Sequence, residues 1–279
     1  ACECEVLLHA SRPVVREGRR RANGTGRMKK NLALARLREG RPINGAAIVY
    51  DSPSMVEQAA LVGLDYLWLD WQHGQWSEHT LNDALARCLH AETTPIVRVK
   101  GNEPGTINRV LDMGAMGVIV PYVQDADQAR AAVQAAFYPP LGMRSGGGVR
   151  LGLIGDGAPD YFAHANDEVL LAVMVETEHA IAHVEEIMRV PGVSIVLIGP
   201  GDLMIDVKAR GGDEARHEAL VLQVADASRR TGTPCGYVTG SPEEATARVR
   251  QGFTFLNCGS DFGSVDTGLR AAAALARSW

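Results

Sequence analysis

Residues 170–202 read LLAVMVETEHAIAHVEEIMRVPGVSIVLIGPGD, and this stretch decides the fold of the chain. It contains two apolar runs of strand length, 170–175 and 195–198, separated by an amphipathic segment of helical length. Short apolar runs with a helix between them are typical of a βαβ unit in a parallel sheet. Glu176 follows the first run directly, and Asp202 follows the second after a few residues. Because neighbouring parallel strands end side by side, we expect the two carboxylates to converge, an arrangement that suits a hard divalent cation.

The same alternation of strand and helix continues along the chain from residue 28. Eight apolar runs, each followed by a helical pattern, lie at residues 44–50, 65–70, 95–99, 117–120, 170–176, 194–198, 234–238 and 253–258. Eight such repeats predict one α/β domain, a (β/α)8 TIM barrel over residues 28–279, with its site at the carboxyl ends of the strands. An open doubly wound sheet is the alternative, but no glycine-rich dinucleotide fingerprint follows the first run. Residues 137–166 interrupt the rhythm, and we expect a long functional loop there.

Composition and charge argue against several classes of protein. The 279 residues carry a formal net charge of -5, and 46% of them are apolar. An acidic chain argues against nucleic acid or an anionic membrane as a partner, and no apolar run reaches the ~18–20 residues that span a bilayer. Cys88, Cys235 and Cys258 lie in apolar segments and predict buried free thiols. We therefore expect a soluble protein of the reducing cytoplasm, with no nucleic-acid or membrane partner.

Residues 1–27 differ in character from the remainder of the chain. They contain an arginine cluster at 19–21 and end in a glycine-containing tail, whereas Met28 opens an amphipathic helical pattern. No continuous apolar core of signal-peptide length occurs, and the basic cluster follows the short apolar run instead of preceding it. We expect residues 1–27 to be a non-native or disordered extension, with the natural start at Met28.

Polar side chains follow several of the predicted strands, at the end where a barrel carries its active site. Asp70 and His73 follow the second run, Arg98 lies near the end of the third, and Glu176 and Asp202 follow the fifth and sixth. Singly, each has an ordinary interpretation: an exposed histidine, an ion pair at the rim, or a carboxylate at a helix start. Together, a cation, an imidazole and three carboxylates at one edge predict metal-assisted carbonyl chemistry.

Other kinds of site have weaker support in the sequence. The remaining histidines lack metal-ligand spacing, and no Gly-x-Ser-x-Gly elbow predicts a serine hydrolase. Lys100 also follows the third run and is a candidate Schiff-base lysine, although such a lysine usually lies on the barrel strand itself. The non-enzymatic alternative is a barrel that serves only as a binding or assembly subunit.

Six motifs of the chain occur in an order that resembles a known family. They are DYLWLDWQHG (65–74), PIVRVKGNEP (95–104), LDMGAMGVIVPYVQDADQARAAV (111–133), YPPLGMRSGG (138–147), VMVETEHA (173–180) and IGPGDL (198–203). The chain resembles the metal-dependent (class II) pyruvate aldolases of the HpcH/HpaI family, which include 4-hydroxy-2-oxoheptanedioate aldolase and 2-dehydro-3-deoxyglucarate aldolase. The resemblance covers nearly everything from Met28 to the last residue.

The resemblance implies a divalent metal cofactor and a pyruvate site. Glu176 and Asp202 would bind Mg²⁺, Mn²⁺ or Co²⁺, with water and the 2-oxo acid completing the coordination. The backbone N–H groups of Gly201 and Asp202 would hold the carboxylate of pyruvate. Arg98 would stabilise the enolate oxygen, and an enolate at this position serves both cleavage and formation of a carbon–carbon bond.

The resemblance also implies a proton-transfer residue and an oligomer. His73, oriented by Asp70, would transfer a proton, since an imidazole titrates near working pH. The family typically forms hexamers with the last helix exchanged between subunits, and the alanine-rich segment 266–277 is compatible with such a helix. The implied partners are therefore a small 2-oxo acid, an aldehyde and other copies of the chain.

Three departures from the family pattern concern the substrate. Met174 stands where some members carry Gln, Ala46 and Ala47 stand where a Thr-Trp pair is common, and Ser145 follows an arginine that Gly often follows. These changes leave the predicted metal and enolate residues in place but leave the aldehyde open. Decarboxylation of a 2-oxo acid such as oxaloacetate, or chemistry like that of macrophomate synthase, is the alternative that uses the same enolate.

Overall fold

The computed structural model describes residues 28–154 and 157–276, in which eight parallel strands close into a barrel in the order β1 to β8. The strands are β1 Ile43–Ile48, β2 Tyr66–Asp70, β3 Thr94–Arg98, β4 Gly117–Val120, β5 Leu170–Val175, β6 Ile195–Ile198, β7 Cys235–Val238 and β8 Phe255–Ser260. The predicted (β/α)8 TIM barrel is confirmed. The prediction of an extension over residues 1–27 lies outside the described residues.

Helix α1 precedes the first strand, and the other helices follow strands and surround the barrel. They are α1 Leu32–Arg38, α2 Pro53–Ala59, α3 Glu78–Arg87, α4 Pro104–Asp112, α5 Ala126–Ala136, α6 Leu151–Ile154, α7 Ala158–Glu168, α8 Glu178–Ala182, α9 Val184–Met188, α10 Pro200–Ala209, α11 Glu214–Thr231, α12 Pro242–Gln251 and α13 Asp261–Ala276. Side-chain oxygens cap many of these helices; Ser52, for example, accepts from the N–H of Met55 at the start of α2. Caps of this kind fix where a helix begins.

Alternation along each strand separates the interior of the barrel from the helical layer. On β2, Leu69 packs outward against the helices, whereas Trp68 packs inside the barrel. The period of two then turns Asp70 inward at the end of the strand. On β5, Met174 likewise packs inside, which places Glu176 at the open end of the barrel two residues later. Strands buried on both faces read as continuous apolar runs, which is why the sequence pattern identified them.

The amino-terminal end of the barrel is closed by α1. Leu34 and Leu37 pack against the side chains that fill the barrel interior. The side chain of Asn31, the cap of α1, donates hydrogen bonds to the carbonyl oxygens of Met116 (2.8 Å) and Glu168 (2.9 Å). With this end plugged, a ligand reaches the interior side chains from the carboxyl ends of the strands.

Residues 137–166 contain α6 and most of α7, so the prediction of one long loop over this range was wrong, although residues 137–150 contain no helix. The buried guanidinium of Arg144 organises the segment: it donates to Asp112 (2.8 Å) and to the hydroxyl of Tyr161 (3.0 Å), and it lies 4.7 Å from the ring centroid of Tyr138. These contacts fold the segment against the outside of the barrel. Its glycines and prolines hid the short helical periods that the structure reveals.

The structure shows two details around β6. The amphipathic segment between β5 and β6 forms two helices, α8 and α9, which are divided at His183. The residues that follow β6 form the first turn of α10, which begins at Pro200. Proline suits this position because its missing N–H would be unpaired in a first turn anyway.

α13 begins at Asp261, five residues before the predicted helix 266–277. The buried carboxylate of Asp261 accepts hydrogen bonds from the backbone N–H groups of Val49 (2.9 Å), Tyr50 (3.0 Å) and Phe262 (2.8 Å). The bonds from Val49 and Tyr50 fix the start of α13 to the residues that follow β1, and the bond from Phe262 lies within α13 itself. The exchange of this helix between subunits stays a prediction.

The described residues also bear on two predictions from composition. Cys88 and Cys235 are buried free thiols, and burial raises the pKa of each to about 11. Cys258 is a half-buried free thiol. Within residues 28–154 and 157–276, no helix combines the length and the apolar character needed to cross a membrane.

Candidate active site

An open cavity of about 770 Å³ lies at the carboxyl ends of the strands, opposite α1. It is lined by all six residues that the sequence analysis singled out, namely Asp70, His73, Arg98, Glu176, Gly201 and Asp202. Its volume falls in the range of roughly 300–1,000 Å³ that small-molecule sites occupy. The fold therefore brings together all the residues predicted for the metal and enolate site.

Asp70 and Arg98 end the neighbouring strands β2 and β3 and pair in register. The guanidinium donates from Nε to Oδ1 of Asp70 at 2.9 Å and from Nη2 to Oδ2. Its central carbon lies 4.9 Å from the ring centroid of Trp68, and Nη1 contacts the sulfur of Met174 at 4.0 Å. The side chains of Asp70 and Arg98 are 6% and 10% exposed. A buried guanidinium held in this way is preorganised to stabilise negative charge that develops in the cavity.

His73 lies in the tight turn that follows β2. Its backbone N–H and that of Gln72 both donate to Oδ1 of Asp70, each at 3.1 Å. Asp70 therefore fixes the turn through the backbone, whereas the sequence analysis expected it to orient the imidazole. The carboxylate is already used by two amides and by Arg98, which explains the difference. Among the described residues the imidazole has no hydrogen-bond partner, and it lines the cavity.

Glu176 is buried at the end of β5, and its Oε2 accepts a hydrogen bond from the backbone N–H of Tyr122 at 2.8 Å. Tyr122 adopts a φ of 59°, in the left-handed region that residues other than glycine rarely occupy. Such backbone strain is common where a protein positions a functional group. Burial is the main cause that raises the pKa of Glu176 to about 7; the Tyr122 N–H opposes it, and the neighbouring charge of Asp202 adds to it.

Gly201 and Asp202 form the first turn of α10. Gly199 precedes this helix, and no side chain caps its free N–H groups. An uncapped helix start with backbone N–H groups facing a cavity suits an anionic ligand such as a carboxylate. A Cβ on Gly199 would lie 2.9 Å from Cγ of Glu176 and closer still to Oε1. Only glycine allows α10 to begin this near to the carboxylate.

The charge and the donor atoms of this site suit a hard divalent cation. Because Asp70 neutralises Arg98, the carboxylates of Glu176 and Asp202 leave negative charge in excess. Within the described part of the chain no group of three or more His, Cys, Asp or Glu side chains could hold a metal. At this site the carboxylates of Glu176 and Asp202 could ligate a cation, and Mg²⁺ is commonly bound by one or two carboxylates together with water and substrate oxygens.

Lys100, the candidate Schiff-base lysine, does not line the cavity. Its ammonium lies 4.6 Å from the ring centroid of Trp71, on the outer rim of β3. The Schiff-base alternative therefore has no support from the geometry.

The sequence analysis missed several residues that line the cavity. Polar residues of the β7–β8 side also line the cavity, namely Thr239, Asn257, Ser260, Ser264 and Thr267. The signal was present, because VTG (238–240) and NCGSD (257–261) place polar residues at strand ends, as in the rule that identified Asp70. Tyr122 acts through its backbone N–H, for which a single sequence carries no signal.

Comparison with known proteins adds a family and several relatives. The sequence model of the HpcH/HpaI aldolase/citrate lyase family matches residues 48–267. A 2-dehydro-3,6-dideoxy-6-sulfogluconate aldolase of Pseudomonas putida is 36% identical over 227 residues, which cover 80% of this chain and 88% of that protein. A 4-hydroxy-2-oxo-heptane-1,7-dioate aldolase of Escherichia coli is 34% identical over 251 residues, or 88% of this chain and 94% of that protein.

A solved structure supports the same relationship. The crystal structure of a HpcH/HpaI aldolase/citrate lyase family protein from Burkholderia cenocepacia superposes with a TM-score of 0.82 at 27% sequence identity. The superposition covers 89% of this chain and 100% of that chain. The architecture described above is thus shared over almost the whole barrel.

Proposed function

The chain belongs to the HpcH/HpaI aldolase/citrate lyase family, and on that premise we propose that it cleaves and forms 4-hydroxy-2-oxo acids, with pyruvate and an aldehyde as the other reactants. The relatives are named as aldolases, so the prediction of a carbon–carbon lyase is confirmed. The observation that carries the specific proposal is the geometry of one cavity, in which the paired Arg98 faces the two carboxylates of Glu176 and Asp202.

Cleavage of a 4-hydroxy-2-oxo acid breaks the bond between C3 and C4. The electron pair of that bond passes to C3 and the C2 oxygen, which gives the enolate of pyruvate. The C4 hydroxyl loses its proton and becomes the carbonyl of the aldehyde, and C3 then takes up a proton. No oxidant or reductant is needed, so the residues must supply charge stabilisation and proton transfer only.

A divalent cation is the cofactor in this proposal. Glu176 and Asp202 would hold it, and when bound it would neutralise charge on the C2 oxygen and on the carboxylate of the 2-oxo acid. Two carboxylates with water as the remaining ligands suit Mg²⁺, Mn²⁺ or Co²⁺.

The other residues of the cavity have separate roles in the proposal. Arg98, held by Asp70, stabilises the enolate oxygen with a guanidinium that needs no rearrangement. The N–H groups of Gly201 and Asp202 hold the substrate carboxylate. His73 accepts the proton of the C4 hydroxyl, directly or through one water, because its imidazole has no partner among the described residues and lies at the cavity wall.

We further propose a homo-oligomer, a hexamer in which α13 is exchanged, located in the cytoplasm. Three apolar residues of α13 support the assembly, because Phe262, Leu269 and Leu275 are 56%, 65% and 58% exposed in the single chain. A light-scattering mass determination tests this part. A mass of six chains supports the hexamer, and a monomer would contradict it.

Release of pyruvate from a 4-hydroxy-2-oxo acid tests the proposed activity. A lactate dehydrogenase assay detects the pyruvate, EDTA should abolish its release, and Mg²⁺ or Mn²⁺ should restore it. Pyruvate release that continues in the presence of EDTA would contradict the proposed requirement for a divalent metal. Oxaloacetate is assayed in parallel. If the enzyme decarboxylated oxaloacetate faster than it cleaved the 4-hydroxy-2-oxo acid, the alternative function of a 2-oxo acid decarboxylase would be favoured.

A further inference from the structure

One half of the active-site cavity carries no charged side chain among the residues that the structure describes. The ionisable residues that line it end or follow β2, β3, β5 or β6; they are Asp70, His73, Arg98, Glu176 and Asp202. The opposite wall comes from the ends of β7 and β8 and from the first two turns of α13. Its side-chain polar groups are hydroxyls and one amide, which belong to Thr239, Asn257, Ser260, Ser264 and Thr267. We call this surface the hydroxyl wall.

The hydroxyl wall lies where the aldehyde half of the substrate must lie if the proposed function is correct. Pyruvate is held by the metal ligands and Arg98, which end β3, β5 and β6. The carbons beyond C4 then have to occupy the remaining volume of the cavity, which β7, β8 and α13 line together with Ala47 of β1. The chemistry of the hydroxyl wall therefore decides which aldehyde is accepted.

Two serines of the hydroxyl wall keep complementary hydrogen-bonding capacity. The hydroxyl oxygen of Ser260 accepts from the N–H of Gly263 at 3.0 Å, which leaves its O–H as a donor. The hydroxyl of Ser264 donates to the carbonyl oxygen of Ser260 at 2.9 Å, which leaves its lone pairs as acceptors. One donor and one acceptor thus stand one helical turn apart at the start of α13.

Asn257 adds an acceptor that has no partner within the described residues. Its side chain is buried, 4% exposed, and Nδ2 donates to the carbonyl oxygen of Gly259 at 3.1 Å. This bond fixes the orientation of the amide, because the reverse orientation would bring two oxygens together. Oδ1 is left buried without a hydrogen bond at the cavity wall.

Donors and acceptors placed together select for a particular chemical group. A hydroxyl both donates and accepts, so one hydroxyl can accept from Ser260 and donate to either Ser264 or Asn257. A carboxylate or a sulfonate only accepts, finds no cation on this wall, and meets the acceptor Oδ1 of Asn257. An alkyl group would leave the polar atoms unpaired, which is costly once the ligand has displaced water from them.

We propose that the hydroxyl wall is the subsite for the aldehyde and that it selects an uncharged aldehyde bearing a hydroxyl group next to the carbonyl. This proposal rests on the proposed aldolase function and specifies its substrate class. It sets the chain apart from relatives whose names carry a second carboxylate or a sulfo group, the heptane-1,7-dioate and the 6-sulfogluconate aldolases.

The test compares three aldehydes as acceptors in the aldol reaction with pyruvate. They are glycolaldehyde, its alkyl isostere propanal, and the carboxylate-bearing succinic semialdehyde. For the wild-type enzyme we expect kcat/KM for glycolaldehyde to exceed both of the others by at least about tenfold, because a site built for a hydroxyl rejects an analogue that lacks it. Equal values for glycolaldehyde and propanal, or a preference for succinic semialdehyde, would overturn the proposal.

Variants locate the preference on the hydroxyl wall. Ser264→Ala and Asn257→Ala should each reduce the glycolaldehyde-to-propanal ratio by at least about threefold, since each removes one acceptor. Ser54→Ala, an exposed serine of α2 outside the cavity, is the matched control and should leave the ratio unchanged. A ratio that stays at the wild-type value in both wall variants would overturn the subsite even if the wild type prefers glycolaldehyde.

A separate measurement distinguishes failure of this subsite from failure of the proposed function. Exchange of the C3 hydrogens of pyruvate with solvent needs no aldehyde and therefore reports only the enolate half of the site. If the wild-type enzyme exchanges these hydrogens but does not discriminate among the three aldehydes, only the proposal that the hydroxyl wall is the aldehyde subsite is overturned. Absence of exchange in the wild type overturns the aldolase function on which the subsite rests.

Discussion

The guanidinium of Arg98 and the carboxylate of Asp70 form a two-point ion pair across neighbouring strands, with Nε donating to Oδ1 at 2.9 Å and Nη2 donating to Oδ2. Both side chains are buried, so neither charge is compensated by water if the other is removed. The pair therefore combines a structural role with the electrostatic role that the active site requires.

Removing one partner of this pair should destabilise the protein. Asp70→Asn leaves the charge of Arg98 buried without a counter-ion, and we expect the free energy of unfolding to fall by about 3 kcal/mol. Denaturant unfolding of the metal-free protein measures this free energy. The double variant Asp70→Asn/Arg98→Met should recover part of the lost stability, because it no longer contains an unpaired buried charge. If the double variant lost as much stability as the two single variants added together, this interpretation would be contradicted.

Arg98→Lys should preserve a positive charge yet impair catalysis. Lysine cannot form the two-point contact with Asp70 and does not place its charge at the same point. We expect kcat for aldol cleavage to fall by about 10²–10³-fold, the usual effect of losing one oxyanion donor, with Mg²⁺ affinity unchanged. Lys100→Ala is the control, since Lys100 lies outside the cavity. Wild-type kcat in the Arg98→Lys variant would show that catalysis needs neither the two-point contact with Asp70 nor the placement of charge that this contact fixes.

Gly199→Ala should weaken metal binding through steric contact alone. The added methyl group would overlap Glu176, so the carboxylate or the start of α10 must shift. We expect Mg²⁺ affinity, measured by calorimetry, to fall by about 10–100-fold, as it does when groups that orient metal ligands are changed. Gly201→Ala is the matched control on the same turn, because a Cβ there meets no atom within 4 Å. Equal affinities in the two variants would show that the closeness of Gly199 to Glu176 is unimportant for the metal.

Asp261→Ala should destabilise the start of α13. Three backbone N–H groups lose their buried acceptor, and we expect the free energy of unfolding to fall by about 2 kcal/mol or more. Asp266→Ala on the same helix removes only an exposed pair with Arg270 and should have a much smaller effect. Thermal melts of both variants provide the comparison, and similar melting temperatures would refute the role of Asp261.

The barrel and most of its active site were predictable because they depend on local pattern. Eight apolar runs indicated the strands, and their ends indicated Asp70, Arg98 and Glu176, since the period of two turns these residues inward. The helices α6 and α7 escaped prediction because they are short and flanked by glycine and proline. Asn257 and Ser260 were not predicted, because an uncharged polar residue at a strand end is a weaker indication of an active site than a charged one.

Other parts of the site depend on contacts between distant residues. The hydrogen bond from the N–H of Tyr122 to Glu176 joins residues that are 54 positions apart in the chain. Neither this bond nor the left-handed φ of Tyr122 can be read from a single sequence. The contact between Gly199 and Glu176 is likewise set by how β5 and α10 pack. The carboxylate of Asp70 accepts hydrogen bonds from Arg98 and from the backbone of His73, and not from the imidazole. Several donors compete for its two oxygens, and the spacing of residues in the sequence does not decide which of them bind.

Solvent exchange of the C3 hydrogens of pyruvate, followed by proton NMR in D₂O, tests the central claim most directly. With Mg²⁺ present and no aldehyde added, the wild-type enzyme should exchange these hydrogens, and EDTA should stop the exchange. Glu176→Gln should neither bind Mg²⁺ nor exchange, because it removes one of the two carboxylate ligands. Exchange by the EDTA-treated wild type, or exchange at the wild-type rate by Glu176→Gln, would contradict an enolate centre built on Glu176, Asp202 and Arg98.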